Sequence, residues 1–145
     1  MRNRVAVMHG VNLSALERRP AEHYGGLTFT ALEQKIARFA RELELTTHFF
    51  DTNHEGEFVE ELHKANGYTD GLLLNPGAWT HYSWAIRDAL EISGLPAVEV
   101  HLSDVEGREA FRRISVLEGV VVGKVFGQGV DGYRVALEEL KAALA

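Results

Sequence analysis

Glu99 and His101 stand one residue apart in Val98-Glu99-Val100-His101. Side chains alternate along a strand, so both point to one face if this run is extended. A carboxylate in that position fixes an imidazole's tautomer and raises its hold on a proton, which a general acid near neutral pH requires. A histidine buried against a structural glutamate is the competing reading of the dyad alone, and its place at the carboxyl end of a strand favours chemistry. A second pair lies in a polar stretch: Arg19, beside Arg18, and Tyr24. Tyrosine, with an ordinary pKa of about 10, becomes a base at neutral pH only when a cation stabilises the phenolate. Arginine keeps its proton and is the durable cation for that purpose. Taken alone this pair reads as solvated loop. A third feature is Asn75-Pro76-Gly77-Ala78-Trp79-Thr80-His81-Tyr82-Ser83, which crowds hydrogen-bonding and aromatic side chains directly behind an apolar run. A loop that only reverses direction rarely needs so many, so the stretch reads as the wall of a site.

The elements that must position these groups follow from the pattern. Val5 to Met8 predicts a buried strand ending at His9-Gly10, and the polar stretch 11–26, with Pro20 and Gly25-Gly26, predicts a long lid loop. Thr30 and Glu33 predict a capping box ahead of a helix striped by Leu32, Ile36, Phe39 and Leu43. Leu45 to Asp51 predicts a second strand, and Asn53 the cap of a helix with Phe58, Val59, Leu62 and Ala65 inward, ending at Asn66-Gly67. Gly71 to Asn75 predicts a third strand, Ser83 to Ser93 a third helix, and Ala97 to His101 a fourth strand. Val120 to Gly123 predicts a fifth, and Tyr133, Ala136, Leu137, Leu140 and Leu144 stripe a closing helix. Short apolar strands separated by helices require right-handed crossovers. The fold expected is α/β: a flavodoxin-like, doubly wound, five-stranded parallel sheet with helices on both faces. Ligands of such sheets bind beyond the carboxyl ends of the strands, where the polar groups collect: His9 to Asn12, Asn53-His54, Asn75 to Ser83, His101 to Ser103, and the Gly-rich segment after Val122.

Composition narrows the partners. At 145 residues, 46% hydrophobic and 25% charged, the chain predicts one globular domain over 1–145. Its 15 Lys and Arg against 21 Asp and Glu give a net charge of −6, which disfavours nucleic acid and favours a small-molecule partner. There is no cysteine, hence no disulfide or thiolate chemistry. The amino terminus runs into the first strand without a signal-peptide core, and no apolar run reaches membrane-spanning length, so cytoplasm is expected. The seven histidines, His9, His23, His48, His54, His63, His81 and His101, show no helical ligand spacing and no acidic companions, so no metal is expected. Asp51 lacks the acidic neighbours of a phospho-acceptor, and Gly127-Gln128-Gly129 reads as a turn before it reads as a phosphate cradle.

Together these residues resemble the type II 3-dehydroquinases, in register over nearly the whole chain. The resemblance rests on His9-Gly10-Val11-Asn12-Leu13, Arg19 through Tyr24-Gly25, Asn53-His54-Glu55-Gly56-Glu57, Asn75 to His81, Glu99 to Ser103, and Arg108-Glu109-Ala110-Phe111-Arg112. It implies dehydration of 3-dehydroquinate to 3-dehydroshikimate by anti elimination through an enolate, without cofactor or metal. It implies Tyr24 as base with its phenolate favoured by Arg19, Asn12 holding a water on the enolate oxygen, and His101, oriented by Glu99, as acid. Asn75 with the backbone at Leu102 and Ser103 would grip the substrate carboxylate, and His81 and Arg112 its ring hydroxyls. Asp88 would reach a neighbouring subunit's site within a trimer, with trimers assembling into a dodecamer. The chain departs from the family pattern at Val11, Glu17, Pro20 and Asp104. The first three bear on lid mobility, and Asp104 must point away from an anionic ligand. A non-catalytic sensor for quinate-like acids and a ligand-free interaction module on the same fold are the alternatives.

Overall fold

The structure, a computed structural model, describes all 145 residues. Its sheet has five parallel strands in the order β2-β1-β3-β4-β5. These are β1 Arg4–His9, β2 Thr46–Asp51, β3 Gly71–Asn75, β4 Ala97–Val100 and β5 Gly123–Val125. The order is the flavodoxin-like one, with its switch point between β1 and β3. β3 is buried at every residue, as a central strand covered on both faces must be, whereas β2 alternates towards solvent at an edge.

Strand alternation divides the core in two. Val5, Val7, Leu73, Val98 and Val100 face helices α2 (Phe29–Glu42) and α5 (Asp131–Leu144), where Leu32, Ile36, Leu137 and Leu140 meet them. Ala6, Met8, Leu72, Leu74 and Ala97 face α3 (Glu55–Ala65) and α4 (Trp84–Ser93), against Phe58, Leu62, Ile86 and Leu90. Register aligns His9 with Asn75 at the carboxyl ends of the two central strands. By the same alternation those two side chains belong to the α5 face and Glu99 to the α4 face.

Several local expectations differ from the structure. The fifth strand lies at Gly123–Val125, while Val120 and Val121 pack as a partly buried turn on the α4 side and Val122 is exposed. β4 stops at Val100, although the His101 amide still donates to the Val125 carbonyl at 2.9 Å. The cap of α2 is Thr28, whose hydroxyl accepts from the Ala31 amide, and not Thr30. Asn53 does not cap α3, whose N-cap is His54; its carboxamide oxygen accepts from the Asn12 amide at 2.8 Å. The segment 11–26 is ordered as a 3-10 turn, Leu13–Arg18, and the short α1, Ala21–Tyr24. Leu13, Leu16 and Tyr24 are buried in the core under it.

Candidate active site

A small cleft opens at the carboxyl ends of β1, β3 and β4. Arg19 and Tyr24 come to it from the segment after β1, Asn75 and His81 from the end of β3 and the turn behind it, and His101, Leu102, Ser103 and Arg112 from the chain after β4. Eight of the residues expected from the sequence thus line one cavity. Glu99 stands behind His101. Asn12 lies at the rim, exposed, with its backbone left-handed at φ 70°, next to the lining residue Leu13. Asp88 is exposed on α4 and does not line the cleft of its own chain.

The Glu99–His101 pair has the geometry its spacing predicts: His101 Nε2 lies 2.6 Å from Glu99 Oε2. Nδ1 has no protein partner and is the nitrogen left for a ligand. Glu99 is fully buried and His101 is 5% exposed. Burial alone would push the Glu99 carboxyl up, but hydrogen bonding and charge from His101, with hydrogen bonds from Thr80 and Ser115, hold it below its ordinary value. Ser115 Oγ donates at 2.7 Å to one carboxylate oxygen, and Thr80 Oγ1 donates to the other. Neither hydroxyl is marked in the sequence, because each lies more than a dozen positions from Glu99.

Tyr24 is held between two cations. Arg108 Nη1 donates to its hydroxyl at 2.7 Å, and the Arg19 guanidinium lies 4.2 Å from the ring centroid. Sequence reasoning gave Arg19 the hydroxyl; the structure gives the hydroxyl to Arg108 and the ring face to Arg19. Arg108 also approaches Ser103 Oγ at 3.4 Å. Burial lowers the proton affinity of Arg19, and the charges of Arg108 and Arg112 lower it further against the opposing pull of Tyr24. Three guanidiniums around one small cleft attract an anion.

The remaining walls supply neutral donors and acceptors. The carbonyls of Leu102 and Ser103 accept from Gly129 and Gly127, whereas their own amides donate to no protein acceptor. Asn75 Oδ1 accepts from the Gly77 amide at 3.2 Å. His81 Nδ1 lies 2.7 Å from the Ile114 carbonyl, which requires the proton on Nδ1 and leaves Nε2 as an acceptor. Burial lowers the His81 pKa against the opposing bond to the Ile114 carbonyl and the Glu99 charge, with the neighbouring His101 and Arg112 acting in the same direction as burial. Asp104 accepts from the Gly107 amide at 3.2 Å and forms no part of the cleft wall, so it points away as expected.

Doubly wound topology and this site define an α/β protein that places a tyrosine and a glutamate-held histidine on one cationic cleft. The comparisons agree with that class. Residues 3–141 match the family described as Dehydroquinase class II. A 3-dehydroquinate dehydratase of Thermotoga petrophila is 45% identical over 141 residues, covering 97% of this chain and 96% of its own. One from Bacillus licheniformis is 42% identical over 133 residues, 92% of each chain. The crystal structure of type II dehydroquinase from Butyrivibrio crossotus superposes with a TM-score of 0.92 at 39% identity, covering 97% of this chain and 98% of that one. The chain belongs to the class II dehydroquinases.

Proposed function

We propose that this cleft dehydrates 3-dehydroquinate to 3-dehydroshikimate, by elimination through an enolate and without cofactor or metal. The observation that carries the reading is that the Tyr24 hydroxyl, bonded to Arg108, and the Glu99-held His101 open onto the same cleft. Tyr24 removes the proton at C2, alpha to the ketone, as a phenolate stabilised by Arg108 and Arg19. Asn12 positions a water as donor to the enolate oxygen where charge develops. The C1 hydroxyl leaves as water after taking a proton from His101 Nδ1, and Glu99 stabilises the imidazolium beforehand. At the end Tyr24 carries a proton and His101 lacks one, so exchange with solvent resets the pair.

Binding follows the same walls. The substrate carboxylate takes the free amides of Leu102 and Ser103 and the carboxamide of Asn75. The ring hydroxyls are met by Arg112 and by His81, whose free Nε2 suits a hydroxyl donor. The segment 11–26 serves as a lid, and the Glu17 carboxylate, one of its departures from the family pattern, meets the Phe29 amide at 3.4 Å.

The protein works in the cytoplasm as a homododecamer built from trimers. The exposed Tyr82, Trp84, Phe111 and Ile114 support association. So does the position of Asp88 on α4, outside its own cleft and available to a neighbour's. No helix is long and apolar enough to cross a membrane. Tyr24→Phe tests the mechanism: turnover falls by about 10³-fold or more while a quinate-like acid still binds. Turnover near that of the unaltered enzyme contradicts the assignment of the base.

A further inference from the structure

On the α5 side of the sheet, behind Asn75, lies a hydrogen-bonded pair that the reaction does not consume. Tyr133 Oη sits 2.9 Å from Asn75 Nδ2 and 2.9 Å from His9 Nε2, and both Tyr133 and His9 are fully buried. We propose that Tyr133 and His9 are positioning residues for this reaction, which lock the Asn75 carboxamide with its second N–H committed to the substrate carboxylate. The proposal rests on the reading of Asn75 as a carboxylate ligand.

The direction of each bond follows from chemistry. Gly77 donates to Asn75 Oδ1, which fixes that atom as the oxygen and turns Nδ2 towards Tyr133. An amide nitrogen only donates, so the Tyr133 oxygen accepts. Its hydroxyl proton then goes to His9 Nε2, which must be unprotonated, with the ring proton on Nδ1. That Nδ1 is buried and has no partner. An apolar side chain of the same size would fill the space without leaving a donor unpaired, so the imidazole is retained for what Nε2 accepts. Burial lowers the His9 pKa to about 3, which keeps Nε2 an acceptor throughout the neutral range, and raises that of Tyr133, which keeps its hydroxyl a donor. The relay therefore runs one way, from Asn75 to Tyr133 to His9. An unlocked carboxamide could turn its carbonyl oxygen towards the substrate anion, and that arrangement repels it.

The test is steady-state kinetics with 3-dehydroquinate on the full chain, alongside the thermal midpoint of each variant. Tyr133→Phe is expected to raise KM about five- to tenfold, the equivalent of one lost hydrogen bond, with kcat within about threefold. The same substitution in an Asn75→Ala background is expected to change KM by less than about twofold, because nothing remains to be positioned. His9→Leu should reproduce the KM rise, and His9→Gln, which restores an acceptor, should reverse most of it. If Tyr133→Phe does not fold, the His9→Leu and His9→Gln pair gives the same comparison. Loss of kcat and KM in step with the thermal midpoint, or a Tyr133→Phe effect that persists in full beside Asn75→Ala, overturns the relay. An unchanged KM in Asn75→Ala alone shows instead that Asn75 does not hold the carboxylate, and the relay falls with that reading.

Discussion

Glu99 is a carboxylate taken wholly out of water, and it stays ionised only because three side chains meet its two oxygens. His101 supplies the functional contact; Thr80 and Ser115 supply the satisfaction that makes the charge tolerable. Ser115→Ala leaves one carboxylate oxygen short of a donor, so it is expected to cost about 1–3 kcal/mol in stability and to lower kcat more than it raises KM. Urea unfolding and a kinetic comparison check both parts; an unchanged kcat would separate Ser115 from the acid. At this scale the sequence was informative where chemistry shows itself by short spacing, as in Glu99 with His101; Arg19 and Tyr24 read alone as solvated loop and gained roles only from the family resemblance. The sequence was silent where partners are far apart in the chain. Arg108 reaches Tyr24 across 84 positions, and nothing in the residue type announces which tyrosine an arginine will meet.

The loops that follow β1 and β3 touch backbone to backbone, beside the cleft that Asn75 and Gly77 line. A Cβ on Gly10 would lie 2.2 Å from the Pro76 carbonyl oxygen, and one on Gly77, at φ +67°, would lie 2.5 Å from the Val11 carbonyl oxygen. Gly77→Ala is expected to destabilise the protein by about 1–3 kcal/mol from backbone conformation alone, with the clash in addition, and to raise KM by displacing Asn75. Thermal unfolding and kinetics measure this; a stable variant with an unaltered KM would contradict the role of the contact. Asn53 belongs to the same junction. Its carboxamide is spent on the Asn12 amide and on Ser14 Oγ at 3.4 Å, so it is unavailable as a helix cap, although its type and position suggested one. The misplaced fifth strand has a related cause: an apolar run such as Val120-Val121-Val122 suits a partly buried turn as well as a strand, and only pairing with β4 decides between them. The parallel sheet, both helical layers and the strand ends that carry the site were legible because burial imposes periodicity on them; the strand order β2-β1-β3-β4-β5 comes from the structure. Caps and loop clamps were not, because they depend on contacts across the molecule.

For the whole molecule, His9 couples stability to pH. Its pKa is about 3 in the folded protein against an ordinary 6.5, since burial opposes the charged form. Between those values the unfolded chain binds a proton that the folded chain refuses, so stability rises with pH. The contribution is complete above pH 6.5 and is lost as pH falls towards 3, at up to about 1.4 kcal/mol per pH unit. Denaturation midpoints from pH 7.5 down to 4 should decline, and His9→Gln should flatten the decline; a midpoint that rises on acidification would contradict the buried neutral imidazole. Assembly is tested by sedimentation, which should give one species of dodecameric mass, and a monomer with full activity would dismiss the role of Asp88 in a neighbour's site. The central claim is the reaction itself. It is met most directly by incubating the purified protein with 3-dehydroquinate and following ultraviolet absorption of the conjugated enone, with and without a chelator. The expected result is product formation at the same rate in both; no enone, or an enone that appears only without the chelator, would contradict the metal-free elimination by Tyr24 and His101.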